Sequence, residues 1–364
     1  MYKKILYIFA FSLLTACSAS DTELNNNEQS RNTDADIIGK PVCFLVGDDG
    51  YSRASNIDAL PEDSRFVCNM FYPSYNTQSS ESVVYDLEKK QTAWMKVSIT
   101  DDINKTGNAT YTQNTLTWQN RRYHAFVALA DNHKLKTVPT EYVAPVKELV
   151  YDLTRGDKTK MEEQPDPILA FTELIPQTAE DKVNLLFKHQ FSQIQVNIFN
   201  DDADQSVSIV PGNIANVELV GVSTEGHVFT QIDETGTLAA TTGNTIDGDI
   251  ESSFSMFIMD TKEANAVSSF NAIAFGTLNA IRITWYESAD PSLQTDSNRH
   301  IVTYKLSTDE NSADGDGSER ILQSGTKYIY NITLRRGSIG MFHAQIEDWD
   351  LDETEYNSSG SIVY

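Results

Sequence analysis

Residues 183–199 read VNLLFKHQFSQIQVNIF. Val183, Leu185, Phe187 and Phe191 fall on one face of an extended chain, and the alternation then resumes one residue out of phase on Ile194, Val196 and Ile198. Successive side chains of a strand point to opposite faces, so a period of two marks a half-buried strand. The change of phase predicts a β-bulge or bend near Ser192-Gln193. His189 shares the apolar face with Phe187 and Phe191, which predicts a hydrogen-bonded core histidine and not a catalytic one.

The same period runs outward along the chain. Gly325 introduces a strand whose Tyr328, Tyr330, Ile332 and Leu334 share a face. Ile281, Ile283 and Trp285 do likewise, and a polar stretch through Pro291 leads to Val302, Tyr304 and Leu306 in a predicted hairpin. Sustained helical stripes are scarce. Short strands punctuated by Gly, Asn, Asp and Pro point to an all-β protein of antiparallel sandwiches. The chain has 364 residues, more than one core usually organises, so two tandem sandwich domains are expected. The charged, proline-bearing stretch 158–182, KTKMEEQPDPILAFTELIPQTAEDK, reads as the connection between them, with domains at 37–178 and 179–364.

The N-terminus carries a different signal. Lys3 and Lys4 precede the apolar run Ile5 to Leu14, which is too short to span a bilayer, and Leu14-Thr15-Ala16-Cys17 matches a bacterial lipobox. Cleavage between Ala16 and Cys17 would leave a thiol to receive lipid, so residues 1–16 are read as a lipoprotein signal peptide and Cys17 as a membrane anchor. Residues 17–36 lack apolar periodicity and read as a flexible tether. The formal charge of −24 repels phosphate backbones, which excludes nucleic-acid binding. Beyond Cys17 only Cys43 and Cys68 remain, both in strand-like runs, and the expectation is two buried free thiols.

The search for chemistry is largely empty. No zinc-protease, nucleophile-elbow, phosphate-loop or dinucleotide fingerprint occurs, and the six histidines lack metal-ligand spacing. Asp314-Gly315-Asp316-Gly317 is oxygen-rich but lacks the later acidic ligand of a calcium loop and reads as a turn. Asp48-Asp49 and Asp201-Asp202 fall in predicted turns, and Trp349 is read as a core residue. With no positioned nucleophile or base, no enzyme, metal or cofactor is expected.

The informative stretch is residues 37–54, IIGKPVCFLVGDDGYSRA. A strand with Val42, Phe44 and Val46 on one face runs into a Gly- and Asp-rich segment ending in Arg53-Ala54, an accessible bond for an Arg-specific protease. This run, the lipobox and NIDALPEDSRFVCNMFYP (56–73) resemble the fimbrillin family, the subunits of type V pili of Bacteroides-like bacteria. So do TWQNRRYHAFV (117–127), residues 183–196, SGTKYIYNITL (324–334) and AQIEDWD (344–350).

The resemblance implies two transthyretin-like sandwiches and an outer-membrane lipoprotein precursor that later joins a cell-surface fimbrium. It implies cleavage between Arg53 and Ala54 and loss of residues 37–53 with the first strand. The gap would be filled by a strand from another subunit of a homo- or hetero-polymer. The donor in such stalk subunits is C-terminal, and here only Tyr356, Ile362 and Tyr364 share an apolar face, so stalk, tip and anchor roles stay open. A Cys43–Cys68 bridge would trap the strand, so free thiols are required. The alternative readings are a surface glycan-binding lipoprotein using Trp94, Trp118 or Trp285 as stacking platforms, and a hydrolase on a sandwich scaffold.

Overall fold

A computed structural model describes residues 36–47, 60–73, 83–101, 106–137, 148–200, 209–233, 235–238, 252–306, 320–335, 338–348 and 362–363. The strands of the first half are β1 (Cys43–Val46), β2 (Arg65–Phe71), β3 (Gln91–Asp101), β4 (Thr106–Gln113), β5 (His124–Asp131), β6 (Glu148–Asp152), β7 (Pro167–Leu174), β8 (Lys182–Leu185) and β9 (Lys188–His189). The second half adds β10 (Ser192–Asn200), β11 (Ile214–Val222), β12 (Glu225–Phe229), β13 (Ser253–Ser255), β14 (Phe257–Ile258), β15 (Ser268–Ala274) and β16 (Gly276–Tyr286). It closes with β17 (Arg299–Lys305), β18 (Arg320–Ile321), β19 (Thr326–Arg335), β20 (Ser338–Asp348) and β21 (Ile362–Val363). The described residues are thus all-β, in two sandwich modules.

In the first module one sheet runs β8-β1-β4-β3-β2-β5-β7-β9. Its two end strands, β8 and β9, are separated by only two residues of chain, so the sheet curls until its ends meet around a single core. That core is lined by Phe44, Phe66, Met95, Trp118, Phe126, Ile168, Val183, Leu185 and Phe187. In the second module the sheet β14-β15-β10-β19-β20-β21 faces the sheet β13-β11-β16-β17. The faces expected from alternation meet there: Tyr328, Tyr330, Ile332 and Leu334 of β19 against Ile281, Ile283 and Trp285 of β16. β16 and β17 form the expected hairpin, with Ile283 opposite Val302 and Ile281 opposite Tyr304.

The structure corrects several expectations. The phase change at Ser192-Gln193 is not a bulge. Residues 182–189 belong to the first module's sheet, and residues 192–200 pair with β15 and β19 in the second. The apolar face flips because the chain leaves one core and enters the other, so the changeover falls after His189 and not at residue 178. The stretch 158–182 is no linker either: it contains β7, which pairs with β5 and β9. Pro167 is tolerated because it is the first residue of that strand. The sheets are not purely antiparallel, since β1 runs parallel to β8 and β10 parallel to β19.

Nor are the modules independent. β6 of the first half pairs with β12 of the second as a two-stranded ribbon. Below it Val67, Phe71, Val127, Leu129, Tyr151 and Leu169 form one apolar cluster with Phe191, Val228, Ile273 and Phe275. β2 and β5 are consequently buried on both faces, which is why they read as continuous apolar runs.

Candidate functional site

The site is the seam of the first module, where β1 sits between β4 and β8. Phe44 and Val46 lie opposite Ala109 and Gly107 of β4, and opposite Val183 and Leu185 of β8. Strand alternation sends Val42, Phe44 and Val46 inward, and all three are buried. The Phe44 ring meets Phe126 edge to face at 5.6 Å between centroids and Tyr111 at 6.3 Å. Such edge-to-face pairs add specificity of shape to ordinary apolar burial.

The segment before β1 is part of the same plug. Ile37 is buried, and a second ladder joins it to residues 116–118: Gly39 N donates to Trp118 O at 2.9 Å, Trp118 N to Lys40 O at 3.0 Å, and Val42 N to Leu116 O at 2.9 Å. The Tyr111 hydroxyl, 2.6 Å from Val42 O and 3.2 Å from Leu116 O, donates across this junction. An Arg121–Asp36 ion pair at 3.3 Å holds the outer end. Gly39 takes φ +78°, a left-handed turn that admits the plug between its two ladders. Four buried apolar side chains at about 2 kcal/mol each place the burial free energy of this plug at roughly 8 kcal/mol before ordering costs.

The wall beside the plug contains a histidine with a fixed tautomer. His124 Nδ1 lies 2.8 Å from Arg122 O and donates to it, while Nε2 accepts from Gln119 N at 3.4 Å. Burial pushes its pKa down to about 4. Its ring packs on Trp118, 5.1 Å between centroids.

Cys43 and Cys68 are both free thiols, and Cys68 is buried with its pKa raised by burial. Cys43, however, is exposed and not buried, because alternation on β1 gives the inward positions to its neighbours Val42 and Phe44. His189 is buried as expected, with Nδ1 3.0 Å from Asp166 Oδ1. Burial alone would push the Asp166 carboxyl up, but attraction to His189 and hydrogen bonds from His189 and Asn132 bring it below the ordinary carboxylate value.

Two of the three tryptophans considered as glycan platforms are unavailable. Trp118 and Trp285 have no exposed surface, the first packed on Phe126 and the second stacked on His300, while Trp94 is half-buried against the inter-module cluster. Among the described residues no three His, Cys, Asp or Glu side chains gather as a metal site. Ala16, Cys17, Arg53, Ala54, Tyr356 and Tyr364 lie outside the described residues, as do Trp349, Asp48-Asp49, Asp201-Asp202 and residues 314–317. Ile362 is described: it pairs with Ala344 at the outer edge of the second module.

Sequence reasoning missed the ladder to residues 116–118, the Tyr111 hydrogen bond and the parallel partner β8. The signal for β8 was present in the alternating Val183 and Leu185, but nothing local says which strand they join.

A two-module all-β protein whose opening strand closes a seam in its first module is the class this geometry defines. The chain belongs to the fimbrillin-like family, whose model matches residues 72–349. The matched span begins after β2, so the plug lies upstream of it. Similar solved structures include candidate cell adhesion proteins from Bacteroides uniformis and Bacteroides ovatus, each 15% identical, covering 85% of this chain and 98% of the other, with a TM-score of 0.50. The tip fimbrial protein Mfa3 from Porphyromonas gingivalis, C-terminally truncated, is 12% identical over 85% of this chain and 99% of that one, with a TM-score of 0.40. At these identities the likeness concerns the fold. None of the curated proteins matches the sequence.

Proposed function

We propose that the protein is a structural subunit of a cell-surface fimbrium, exported as a lipoprotein through Cys17 and assembled by strand exchange at the β1 seam. In this reading an Arg-specific protease cuts between Arg53 and Ala54, in the stretch that joins β1 to Leu60. The cut separates residues 37–53, together with the lipidated tether 17–36 that precedes them, from the rest of the chain. Loss of β1 then uncovers the unpaired edges of β4 and β8 and the pockets that held Val42, Phe44 and Val46. Open edges and apolar grooves are costly in water, and a strand from another subunit relieves both costs.

One observation carries the reading. A strand of only four residues, continuous with a segment that bears an Arg-Ala bond, supplies buried core side chains between two other strands. The family assignment supports a fimbrial partner over any other. The full burial of Trp118 and Trp285 weighs against the glycan-binding alternative. The tail bearing Tyr356, Ile362 and Tyr364 is the chain's own donor candidate.

The test is treatment of the purified precursor with an Arg-specific protease, followed by mass measurement and electron microscopy. One cut after Arg53 with fibre growth makes the protein a stalk subunit. One cut without growth, with a groove that accepts an added strand peptide, makes it a terminal subunit. A precursor that resists cleavage and stays monomeric removes the processing step.

A further inference from the structure

We propose that Gln164 acts as a one-residue substitute for a strand and fuses the two modules into a single body that unfolds as one. The outer edge of β15 presents the peptide groups of Ser269, Asn271 and Ile273. Met259 N donates to Ser269 O at 2.9 Å, and Phe257 of β14 pairs with Asn271. There the strand ends, because β13, just upstream of β14, pairs with β11 in the opposite sheet. Ile273 would be left with a buried donor and acceptor facing nothing.

The first module supplies the missing rung. Gln164 Oε1 accepts from Ile273 N at 2.6 Å, and Gln164 Nε2 donates to Ile273 O at 2.9 Å, the paired exchange a neighbouring strand would make. The second Nε2 hydrogen goes to Leu153 O at 2.7 Å, just beyond the end of β6. The Gln164 side chain is fully buried, and its backbone is pinned as well: its N donates to Met161 O at 3.0 Å and its O accepts from His133 Nδ1 at 2.8 Å.

Around this amide the two halves share one apolar cluster, and the Lys158 ammonium of the first lies 4.1 Å from the centre of the Phe257 ring of the second. A side-chain amide has one acceptor oxygen and two N–H donors, the inventory needed to close this gap, and neither an apolar side chain nor a carboxylate has it. Separating the modules would strand the buried N–H and C=O of Ile273 together with Oε1 and one Nε2 hydrogen of Gln164, so neither core opens without the other. This coupling does not depend on the strand-exchange reading.

Hydrogen-exchange mass spectrometry across a urea series tests it in the full chain. In the wild type, peptides covering β5 and β16 are expected to lose protection at the same urea concentration. In Gln164→Met, a near-isosteric apolar change, they separate, and the peptide containing Ile273 exchanges at least about tenfold faster in the absence of urea. A control Ile283→Val, in the second core away from the joint, lowers the common midpoint without splitting it. Wild-type halves that lose protection at different urea concentrations overturn the proposal, and so does a Gln164→Met protein that keeps them coincident. If the variant does not accumulate folded, the wild-type series alone decides.

Discussion

β1 and β10 occupy the same topological place in their modules. Each opens its module and lies between an antiparallel partner, β4 or β15, and a parallel late strand, β8 or β19. They differ in grip. β10 is a nine-residue strand with eight parallel rungs to β19, and its Ile194, Val196 and Ile198 are at the middle of the second core. β1 is a four-residue strand with four rungs to β8, and it runs on into the stretch that carries Arg53. On the proposed reading one topology serves two purposes: in the second module it locks the sandwich, and in the first it holds a short strand whose release follows a chain cut.

The largest expected effect comes from breaking the locked copy. Val196→Asp puts a carboxylate into a fully buried apolar site, costs more than about 5 kcal/mol and, because the modules unfold as one, leaves neither folded by near-ultraviolet circular dichroism. A chain beginning at Ala54, by contrast, keeps the second module's circular dichroism and gains binding of an apolar dye at the open seam. Dye binding by the intact chain equal to that of the truncated one would erase the difference between the two strands.

Next in size is the central pocket of the plug. Phe44→Ala removes the ring that meets Phe126 and Tyr111 and is expected to destabilise the protein by about 3–5 kcal/mol in urea titrations, lowering the midpoint common to both modules. Acid acts on the same wall. His124 has a folded pKa of about 4 against an ordinary 6.5, so the unfolded chain binds the proton first. Stability is therefore full above pH 6.5 and falls as the pH drops from 6.5 to 4, by about 3 kcal/mol at most. Removing this histidine in a His124→Gln variant should flatten that slope in urea midpoints measured over the same range. The smallest effect belongs to Tyr111→Phe, which deletes the hydrogen bond to Val42 O and costs about 1 kcal/mol. Its expected signature is faster amide exchange in residues 39–46 with the second module unchanged.

Alternation made much of this architecture legible. The inward faces of β19, β16 and β17 follow from Tyr328, Ile281, Val302 and their period-two neighbours, and the plug follows from Val42, Phe44 and Val46. What alternation does not carry is the identity of the neighbour. Val183 and Leu185 mark a strand, but only the closed sheet joins that strand to β1, which lies far away in sequence. The phase change at Ser192-Gln193 was visible, and a local cause for it was the wrong one, because a bend within a strand and a crossing between cores leave the same mark on a sequence. Pro167 and the charges around it disguised β7 as a connection. Gln164 gives no signal at all, since a polar residue after a run of glutamates looks like surface until Ile273 is placed beside it.

The most direct test of the exchangeable first strand is native mass spectrometry of protein cut by an Arg-specific protease and mixed with a peptide copying residues 37–47. Loss of the chain's own N-terminal fragment, with uptake of one peptide per molecule and none of a peptide carrying Phe44→Ala, is the predicted result. A cut protein that keeps its own fragment in the presence of excess peptide, or that loses it and takes up both peptides equally, would contradict the account.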